Sequence, residues 1–406
     1  MSAHAPYEVD WTGRWHGVAR GVERPGDVTA LAALLAAADR DGTPMTVAGG
    51  RTGLVGGAVP PPDGRAVVLS TERLTELGEV DVAGGCVLAG AGVPLAAVQR
   101  AAAAHGLEYG VDLAARDTAT IGGTVATDAG GVHVVGAGST RAQVLGLQAV
   151  LADGTVLDGL DALPKTATGP DLAGVLCGSE GVLAVVTAAR LWLRPRPAAI
   201  SVARLPAPTV EAALELGARA RRLPGLRALE WVVALPGVAP HVLVEVAGPA
   251  DGLAALDPPE VVEDAPGRAA LWAARGAASE TAAEAAARAG RVLHKLDVAV
   301  PVPGLPALLA QVSGLGAEVL LWVHLAEGNL HLNLLGERLG EPDAGLDERV
   351  LRLVVAAGGS PSSEHGVGRA KAALLWRLQP ERLALLRRLK VALDPRGTLN
   401  PGVLLP

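Results

Sequence analysis

The side chains best suited to chemistry lie in the second half of the chain, where His324 and His331 occur in one apolar segment. Two apolar runs flank the sequence Ala-Glu-Gly-Asn at 326–329, and this pattern predicts a β-hairpin whose loop is that tetrapeptide. The two imidazoles would then lie on facing strands. Because side chains of a strand alternate between its two faces, His331 and Asn333 would share one face of the sheet.

A second segment, 362–368, places Glu364 next to His365 in a glycine-rich turn after a predicted helix. Two imidazoles and a carboxylate can bind Zn²⁺ or a similar divalent ion and leave positions open for a substrate. The alternative is that these histidines are surface or core residues without a ligand. The lack of cysteine beside them is against a structural zinc finger, and the lack of an H-E-x-x-H motif is against that class of protease.

Three glycine-rich segments in the first half, at 49–57, 120–131 and 178–183, indicate a ligand that carries phosphate groups. Glycine lets successive backbone N–H groups come close to an anion, and such groups form a concave phosphate site. Turn or packing glycines would explain one such segment, but three at strand or helix ends favour a large ligand with a diphosphate. None fits the strand, G-x-G-x-x-G, helix order of a nicotinamide-binding Rossmann domain.

Strands and helices alternate around these glycine segments, which predicts a mixed first half. The prolines of Arg194–Pro197 resist both helix and sheet and therefore predict a linker. The predicted elements before the linker are Thr29–Arg40, Met45–Val47, Ala66–Ser70, the hairpin Val80–Ala91, the helix Pro94–His105, the hairpin Gly146–Leu157 and the strand Gly181–Leu193.

Beyond the linker, short apolar strands separated by helices predict an antiparallel sheet. A last helix, Leu374–Leu393, is expected to break or restart at Pro380. The predicted strands are Ser201–Leu205, Leu229–Val233, His241–Val246, Val298–Val300, Val319–His324 and Leu330–Leu334, and the predicted helices are Val210–Arg222, Pro266–Arg291, Leu305–Ser313 and Asp343–Ala357.

The composition excludes several classes of protein. A chain of 406 residues suggests two or three domains, and its net charge of −7 gives no general attraction for nucleic acid. Its 2 cysteines are too few for a disulfide framework, which fits a reducing compartment. The first ten residues lack the pattern of a signal peptide, and no apolar run reaches the ~18 residues of a membrane span. We therefore expect a cytoplasmic protein, with association at the membrane surface left open.

These segments together resemble the FAD-linked D-2-hydroxyacid dehydrogenases of the vanillyl-alcohol oxidase/p-cresol methylhydroxylase superfamily. That group includes D-lactate dehydrogenase, D-2-hydroxyglutarate dehydrogenase and the catalytic subunit of glycolate oxidase. The resemblance covers roughly Arg24 to Pro406 and rests on the second glycine segment, on Lys165–Leu172 and on the H-x6-H and E-H-G-x-G segments in that order. It implies an α+β fold with an FAD-binding domain of the p-cresol methylhydroxylase type at 1–197, an antiparallel-sheet cap (substrate) domain with the metal site at 198–375, and a C-terminal segment that returns to the flavin at 376–406.

The resemblance implies FAD as the cofactor. Some relatives attach it covalently in the loop that corresponds to 49–57, but no His or Cys lies there, so we expect FAD to be non-covalent. The residues that match FAD-contacting positions are Gly49, Gly50, Arg51, Thr52, Gly53 and Leu54 at the diphosphate, Gly122, Gly123, Thr127 and Gly130 along the flavin, Glu180, Gly181 and Val186 at the adenosine half, and Asn400 at the flavin ring.

In the cap, the resemblance assigns His324, His331 and Glu364 to a divalent metal, with zinc as the expected ion. It places Asn333 and His365 beside these ligands and implies that His365 is the base. It places Arg275, Ser279 and Lys295 on the substrate side, with Arg275 paired to a substrate carboxylate. Lys295 is one of only four lysines in an arginine-rich chain.

The implied reaction is the metal-assisted oxidation of a D-2-hydroxy acid, of the D-lactate or D-2-hydroxyglutarate type, to the 2-oxo acid. The hydride would pass to flavin N5 and then to an acceptor that could be a quinone, an electron-transfer flavoprotein, a cytochrome or oxygen. A homodimer is compatible with this reading. Three alternatives stay open: a glycolate oxidase-type subunit, a non-catalytic FAD-binding subunit that relays electrons, and a metal-free flavin oxidase of sugars or lactones.

Overall fold

The computed structural model describes residues 4–258, 260–339 and 345–406, and the chain in it forms two compact units. The first unit consists of Met1–Gly131, Gly138–Arg196 and His365–Pro406. The second unit consists of Val132–Ala137 and Pro197–Glu364. The predicted domains, with boundaries at 197/198 and 375/376, were defined by the ligand that each would bind. These assignments to FAD and to substrate stay predictions.

The first unit contains short helices around three small sheets. Strand order is β1-β3-β2 in a parallel sheet and β4-β8-β6-β7 in an antiparallel sheet, and β5 pairs with β9. Its elements are β1 (Gly21–Glu23), α1 (Val28–Asp41), β2 (Met45–Ala48), β3 (Val67–Ser70), β4 (Cys86–Gly90), α2 (Leu95–Ala103), β5 (Leu107–Glu108), α3 (Ile121–Thr127), β6 (Val144–Val150), β7 (Val156–Gly159), α5 (Leu172–Leu176), β8 (Val185–Trp192), β9 (Arg194–Pro195), α11 (Ala372–Leu378) and α12 (Pro380–Leu393).

Local chemistry explains the first helix. The side chain of Asp27 accepts a hydrogen bond from the Ala30 amide at 2.8 Å and so caps α1, and Gly42 ends it in the left-handed conformation that glycine adopts without strain. Leu31 and Leu35, one turn apart, are fully buried against β2 and β3. The helix predicted at 29–40 is therefore confirmed.

Two predictions for this unit were wrong in part. Only half of the linker predicted at 194–197 is one: Arg194–Pro195 pairs antiparallel with Leu107–Glu108 as β9, and the boundary between the two units falls between Arg196 and Pro197. A two-residue edge strand tolerates proline, which lacks only the donor of one ladder bond. The first arm of the hairpin predicted at 80–91 forms only isolated bridges, such as Asp81 with Cys86, rather than a strand. The break at Pro380 is confirmed, since α11 ends at Leu378 and α12 begins at Pro380.

The second unit is built on one seven-stranded sheet in which every neighbouring pair is antiparallel. The strand order is β13-β10-β12-β11-β15-β16-β14, which confirms the predicted antiparallel sheet with helices. The elements are α4 (Val134–Ala137), β10 (Ile200–Pro206), α6 (Val210–Ala220), β11 (Leu226–Ala234), β12 (His241–Ala247), β13 (Glu260–Val262), α7 (Ala265–Gly276), α8 (Ala278–Ala289), β14 (Arg291–Ala299), α9 (Leu305–Ser313), β15 (Glu318–His324), β16 (Asn329–Arg338) and α10 (Leu346–Ala356).

Three element boundaries differ from the sequence-based ones. The helix predicted at 266–291 is two helices, α7 and α8, with Ala277 between them. The strand predicted at 298–300 begins at Arg291 and ends at Ala299, because this stretch pairs antiparallel with β16 over its length. The helix predicted at 343–357 begins at Leu346, and its predicted residues 343 and 344 lie outside the described residues.

One face of the large sheet carries a row of polar side chains. Residues directly opposite each other on antiparallel strands point to the same face. Such pairs run from β11 through β15 and β16 to β14: Glu230 with His324, Trp322 with His331, His331 with Asp297, and Asn333 with Lys295. Helix α8 covers part of this face, because its Ala278, Ala282 and Ala286 pack on Trp322 and its apolar neighbours.

Among the described residues, no helix has both the length and the apolar character that a membrane span requires.

Candidate active site

The hairpin predicted from the sequence brings His324 and His331 together on this polar face. His324 ends β15 and His331 lies on β16, and their Nε2 atoms are 3.0 Å apart. Glu364, which ends the second unit, brings Oε2 to 3.4 Å from Nε2 of His324 and to 3.5 Å from Nε2 of His331. The ligand atoms of the three residues lie within 4.8 Å of one another, so two nitrogens and an oxygen converge on one point.

Opposite charges within the cluster shift the pKa values of its members. Burial opposes the charged form of His324, but the carboxylates of Glu230 and Glu364 outweigh burial and raise the pKa of this imidazole well above its usual range. Burial would raise the pKa of Glu364, yet the charges and hydrogen bonds of His324 and His331 hold it well below its usual range. An anionic carboxylate beside two imidazoles is the donor set that a divalent ion such as zinc accepts, so these residues fit a metal ion.

A carboxylate that the sequence analysis missed orients the first ligand. Glu230 on β11 is 1% exposed, and its Oε1 is 2.5 Å from Nδ1 of His324. Its Oε2 accepts hydrogen bonds from Nε and Nη2 of Arg275 at 2.8 and 2.6 Å. The arginine predicted to hold a substrate carboxylate is therefore paired with Glu230. That role of Arg275 stays a prediction.

A second missed carboxylate supports Glu364 through the backbone. Asp297 on β14 is fully buried, and its Oδ2 accepts hydrogen bonds from the amides of Ser363 and Glu364 at 3.0 and 2.7 Å. Its Oδ1 accepts from Nδ2 of Asn329 at 2.7 Å. Because Asp297 is also the register partner of His331, it fixes the main chain of one ligand beside the strand of another.

Three more of the predicted cap residues, Lys295, Ser279 and Asn333, lie on the same sheet face, whereas His365 begins the last segment of the first unit. Nζ of Lys295 donates to Oγ of Ser279 at 2.8 Å, and burial lowers the pKa of this lysine. Asn333 is opposite Lys295 in the strand register, is buried, and bonds through Nδ2 to the carbonyl of His331 at 3.2 Å. The second unit thus gathers Lys295, Ser279 and Asn333 on the face that holds the three candidate metal ligands.

A third buried carboxylate, Glu245, anchors α7, the helix that carries Arg275. Glu245 on β12 accepts from Nε1 of Trp272 at 2.7 Å and from Nε of Arg227 at 2.9 Å, and it lies 3.0 Å from Nε2 of His133. Burial would raise the pKa of Glu245, but His133 and Arg227 outweigh it and lower the pKa to about 2. No residue of α7 is buried, so these polar contacts and the Arg275 pair hold it to the sheet.

The first predicted FAD segment has the features of an anion-binding loop. Gly50 is required by packing, because a Cβ there would lie 2.1 Å from the carbonyl oxygen of Thr118. A Cβ on Gly49 would lie 2.7 Å from Oγ1 of Thr120, a buried hydroxyl with no hydrogen-bond partner among the described residues. The backbone amides of residues 50–55 donate to no acceptor among the residues that the structure describes. Unbonded amides and an orphaned hydroxyl are what a diphosphate-bearing cofactor would satisfy, so the loop fits FAD.

Arg51 in this loop has a left-handed backbone at φ 56°. Its guanidinium lies 4.5 Å from the ring centroid of Tyr7 and 3.5 Å from Oε2 of Glu72. The side chain is therefore anchored within the first unit while the backbone of Thr52, Gly53 and Leu54 continues the loop. A Cβ on Gly53 would meet nothing within 4 Å, so this glycine is not required by packing.

The second predicted FAD segment forms the short helix α3. Gly122 is packed against Ala91, the residue after β4, and a Cβ on this glycine would come within 2.6 Å of the Ala91 Cβ. Oγ1 of Thr127 donates to the carbonyl of Gly123 at 3.0 Å, and Gly130 is buried just after the helix. Roles of these residues at the flavin stay predictions.

The last predicted FAD residues tie the three chain segments of the first unit together. Asn400 accepts from the Val47 amide at 2.7 Å and donates to the Glu180 carbonyl at 2.6 Å, and a Cβ on Gly181 would lie 2.7 Å from Nδ2 of Asn400. Val186 is buried in β8.

Glu180 makes a contact that its expected adenosine role did not include. Its carboxylate accepts hydrogen bonds from the amides of Val367 and Gly368 at 2.8 and 2.7 Å. Gly366 has φ 79°, and a Cβ there would lie 3.0 Å from Oε1 of Glu180. The turn that follows His365, the predicted base, is therefore held by Glu180.

Comparison with known proteins finds two domain families in this chain. The sequence model described as "FAD binding domain" matches residues 19–159, and the one described as "FAD linked oxidases, C-terminal domain" matches residues 238–404. FAD is therefore the cofactor of this chain.

Curated relatives align over nearly the whole chain. D-2-hydroxyglutarate dehydrogenase of Xanthomonas citri pv. viticola is 34% identical over 98% of this chain and 92% of its own length. Mitochondrial D-2-hydroxyglutarate dehydrogenase of Bos taurus is also 34% identical, over 99% of this chain and 79% of its own length. D-lactate dehydrogenase of Archaeoglobus fulgidus is 34% identical over 94% of this chain and 90% of its own length.

A solved structure of alkyldihydroxyacetonephosphate synthase matches with a TM-score of 0.72 at 15% identity, over 94% of this chain and 75% of that one. At this identity the match establishes the fold alone, which is the predicted p-cresol methylhydroxylase type with an antiparallel-sheet domain. The curated relatives and the two sequence models show that the chain belongs to the family of FAD-linked D-2-hydroxyacid dehydrogenases and is an FAD-dependent 2-hydroxyacid dehydrogenase.

Proposed function

We propose that this enzyme oxidises a D-2-hydroxy acid of the D-2-hydroxyglutarate or D-lactate type to the 2-oxo acid with the help of a divalent metal, for which zinc is the expected ion. The observation that carries the proposal is the convergence of His324, His331 and Glu364 within 4.8 Å on a sheet face that also bears cationic side chains. The names of the relatives support this substrate class, and the donor set supports the metal.

Different residues of the chain would bind the metal, bind FAD and take the proton. His324, His331 and Glu364 would hold the metal ion, and the loop at 49–57 and the segment at 120–131, which contains α3, would hold FAD non-covalently. When bound, the metal supplies a Lewis acid toward the hydroxyl oxygen, and FAD supplies the hydride acceptor at flavin N5. His365 would take the hydroxyl proton on an imidazole nitrogen, since a group that titrates near neutral pH suits general-base catalysis.

The cationic side chains of the cap would bind the substrate carboxylates. Arg275 offers a planar guanidinium that can bind a carboxylate through two N–H groups, whereas Lys295 offers a point charge. Ser279 and Asn333, next to Lys295, would add neutral hydrogen bonds.

The electron acceptor and the assembly are further parts of the proposal. A quinone, an electron-transfer flavoprotein, a cytochrome or oxygen would reoxidise the flavin, and the enzyme would act in the cytoplasm or at the membrane surface. A homodimer would appear as twice the chain mass in light scattering.

The test is the visible spectrum of the purified protein, recorded without oxygen before and after D-2-hydroxyglutarate, D-lactate and glycolate in turn. We expect a yellow protein whose flavin band bleaches with one of these acids, not with the L-enantiomer of a chiral one, and not after chelation. Bleaching by glycolate alone would favour the glycolate oxidase-type alternative.

A yellow protein that no acid bleaches would contradict the proposed catalysis and favour a non-catalytic electron-relay subunit. Bleaching by a sugar or lactone, unaffected by chelator, would instead favour the metal-free oxidase.

A further inference from the structure

The carboxylate of Glu230 joins the candidate metal cluster to the candidate substrate arginine. Glu230 is opposite His324 in the β11–β15 register, so its side chain emerges on the same face as the imidazole. One oxygen faces Nδ1 of His324 at 2.5 Å, and the other accepts from Nε and Nη2 of Arg275 at 2.8 and 2.6 Å. Because Glu230 is 1% exposed, water has little access to either contact.

The first contact sets which nitrogen of His324 can bind a metal. A carboxylate accepts hydrogen bonds, so in the neutral form of His324 that a metal ion would bind, the ring proton lies on Nδ1. The lone pair is then on Nε2, the atom that faces Oε2 of Glu364 at 3.4 Å and Nε2 of His331 at 3.0 Å. A carboxylate behind a metal-bound histidine also fixes the ring orientation and raises the basicity of the ligand.

The second contact fixes the orientation of the guanidinium of Arg275. Two N–H groups of Arg275 on one oxygen hold the guanidinium in one orientation, and its carbon lies 5.7 Å from the ring centroid of Trp322. The positive charge compensates the buried carboxylate, which would otherwise be costly to keep charged. Trp322 in turn stacks on His331 with a centroid distance of 5.3 Å.

We propose that Glu230 is a positioning residue that orients His324 for the metal ion and Arg275 for the substrate carboxylate at the same time. The proposal rests on the proposed function, since it assumes that His324 binds a metal and that Arg275 binds substrate. Glu230 acts through these two side chains and needs no contact with substrate itself.

The neighbouring strand offers a matched control. Glu245 is also a buried carboxylate, and it also binds an arginine and a side chain of α7, but its partners within the described ranges, His133, Arg227 and Trp272, include no candidate metal ligand. Glu230→Gln and Glu245→Gln remove the same charge from similar surroundings. A difference between them in metal affinity therefore reports the contact with His324 rather than a general loss of packing.

The experiment measures the zinc affinity of the full-length, FAD-loaded protein at neutral pH by competition with a chromophoric chelator, with the flavin spectrum as a check of folding. We expect Glu230→Gln to bind zinc about 10- to 100-fold more weakly than the wild type and Glu245→Gln to stay within about threefold of it. Arg275→Lys, which keeps a positive charge beside Glu230, should raise KM for the acid and leave zinc affinity unchanged.

Equal zinc affinity in Glu230→Gln and the wild type would overturn the inference and leave the proposed function standing. A wild-type protein that binds no zinc and is reduced by substrate after chelation would overturn the metal in the proposed function, and the inference with it. If Glu230→Gln fails to retain FAD, Glu230→Asp gives the same comparison, since it keeps the charge but withdraws the carboxylate by one methylene.

Discussion

At the scale of single residues, the side chains that matter most are those whose partners are far away in the chain. Glu180 illustrates this, because its carboxylate binds the amides of Val367 and Gly368, residues that follow the predicted base His365. Burial raises the pKa of Glu180, while these two amides act in the opposite direction. The contact makes Glu180 part of the support for the His365 turn as well as a candidate neighbour of FAD.

Replacing Glu180 separates these two roles. We expect Glu180→Gln to slow reduction of the bound flavin by substrate about 10- to 100-fold, because a small displacement of a base is costly to catalysis. Its FAD affinity should stay near that of the wild type. Stopped-flow absorbance under anaerobic conditions gives the rate, and ultrafiltration with free FAD gives the affinity.

The control for this experiment is Asp171→Asn, which changes an exposed helix cap, the Asp171 side chain bound to the Gly174 amide. It should leave the rate unchanged. The opposite result for Glu180→Gln, weaker FAD binding with an unchanged rate of reduction, would mean that the adenosine contact is its main role.

At the scale of elements, α7 is held by charge rather than by an apolar face. None of its residues is buried, and Trp272 and Arg275, one turn apart, reach down to Glu245 and Glu230. The attachment should therefore respond to pH. A carboxylate whose pKa is lower in the folded than in the unfolded protein stabilises the fold above the unfolded pKa, and this stabilisation is lost as the pH falls toward the folded pKa.

For Glu245 the folded pKa is about 2 and the usual one is 4.5, so its contribution should be complete near neutral pH and decline below pH 4.5. We expect the stability difference between the wild type and Glu245→Gln to be about 1 kcal/mol smaller at pH 4 than at pH 7. Urea unfolding followed by circular dichroism at both pH values measures it. A difference that is constant or grows on acidification would show that Glu245 is not held ionised by His133 and Arg227.

At the scale of the whole molecule, the residues that fit FAD and those that fit a metal belong to different units. The loop at 49–57 and Asn400 lie in the first unit, and His324, His331 and Glu364 lie in the second. Loss of the metal should therefore leave the flavin in place.

His331→Ala tests this separation. We expect the variant, and the wild type after chelation, to lose zinc and to be reduced by substrate at least about a hundredfold more slowly, while they keep the FAD absorbance. Metal analysis and the flavin band measure the two cofactors independently. His105→Ala, an exposed histidine of the first unit, should match the wild type, and release of FAD on chelation would contradict the separation.

Local patterns in the sequence determined much of the fold and half of the candidate site. Two apolar runs and the tetrapeptide between them predicted the hairpin that brings His324 and His331 together. This was possible because strands and tight turns depend on residues that are neighbours in the sequence. The break at Pro380 and the antiparallel sheet were predictable for the same reason. The α-helical region at 266–291 was found as well, but alanine-rich sequence gave no signal for the break at Ala277.

Only the tertiary structure decided which carboxylates support the site. Three of these carboxylates lie in strands and have partners 18 or more residues away in the chain: Glu230, Glu245 and Asp297. Nothing in the neighbouring sequence indicates those partners. Pairing across a seven-stranded sheet depends on register and strand order, which no local pattern encodes. The sequence by itself therefore determined the family, the cofactor and the candidate ligands, whereas the folded sheet decided how Glu230 joins His324 to Arg275, because that contact exists only when β11 and β15 lie side by side.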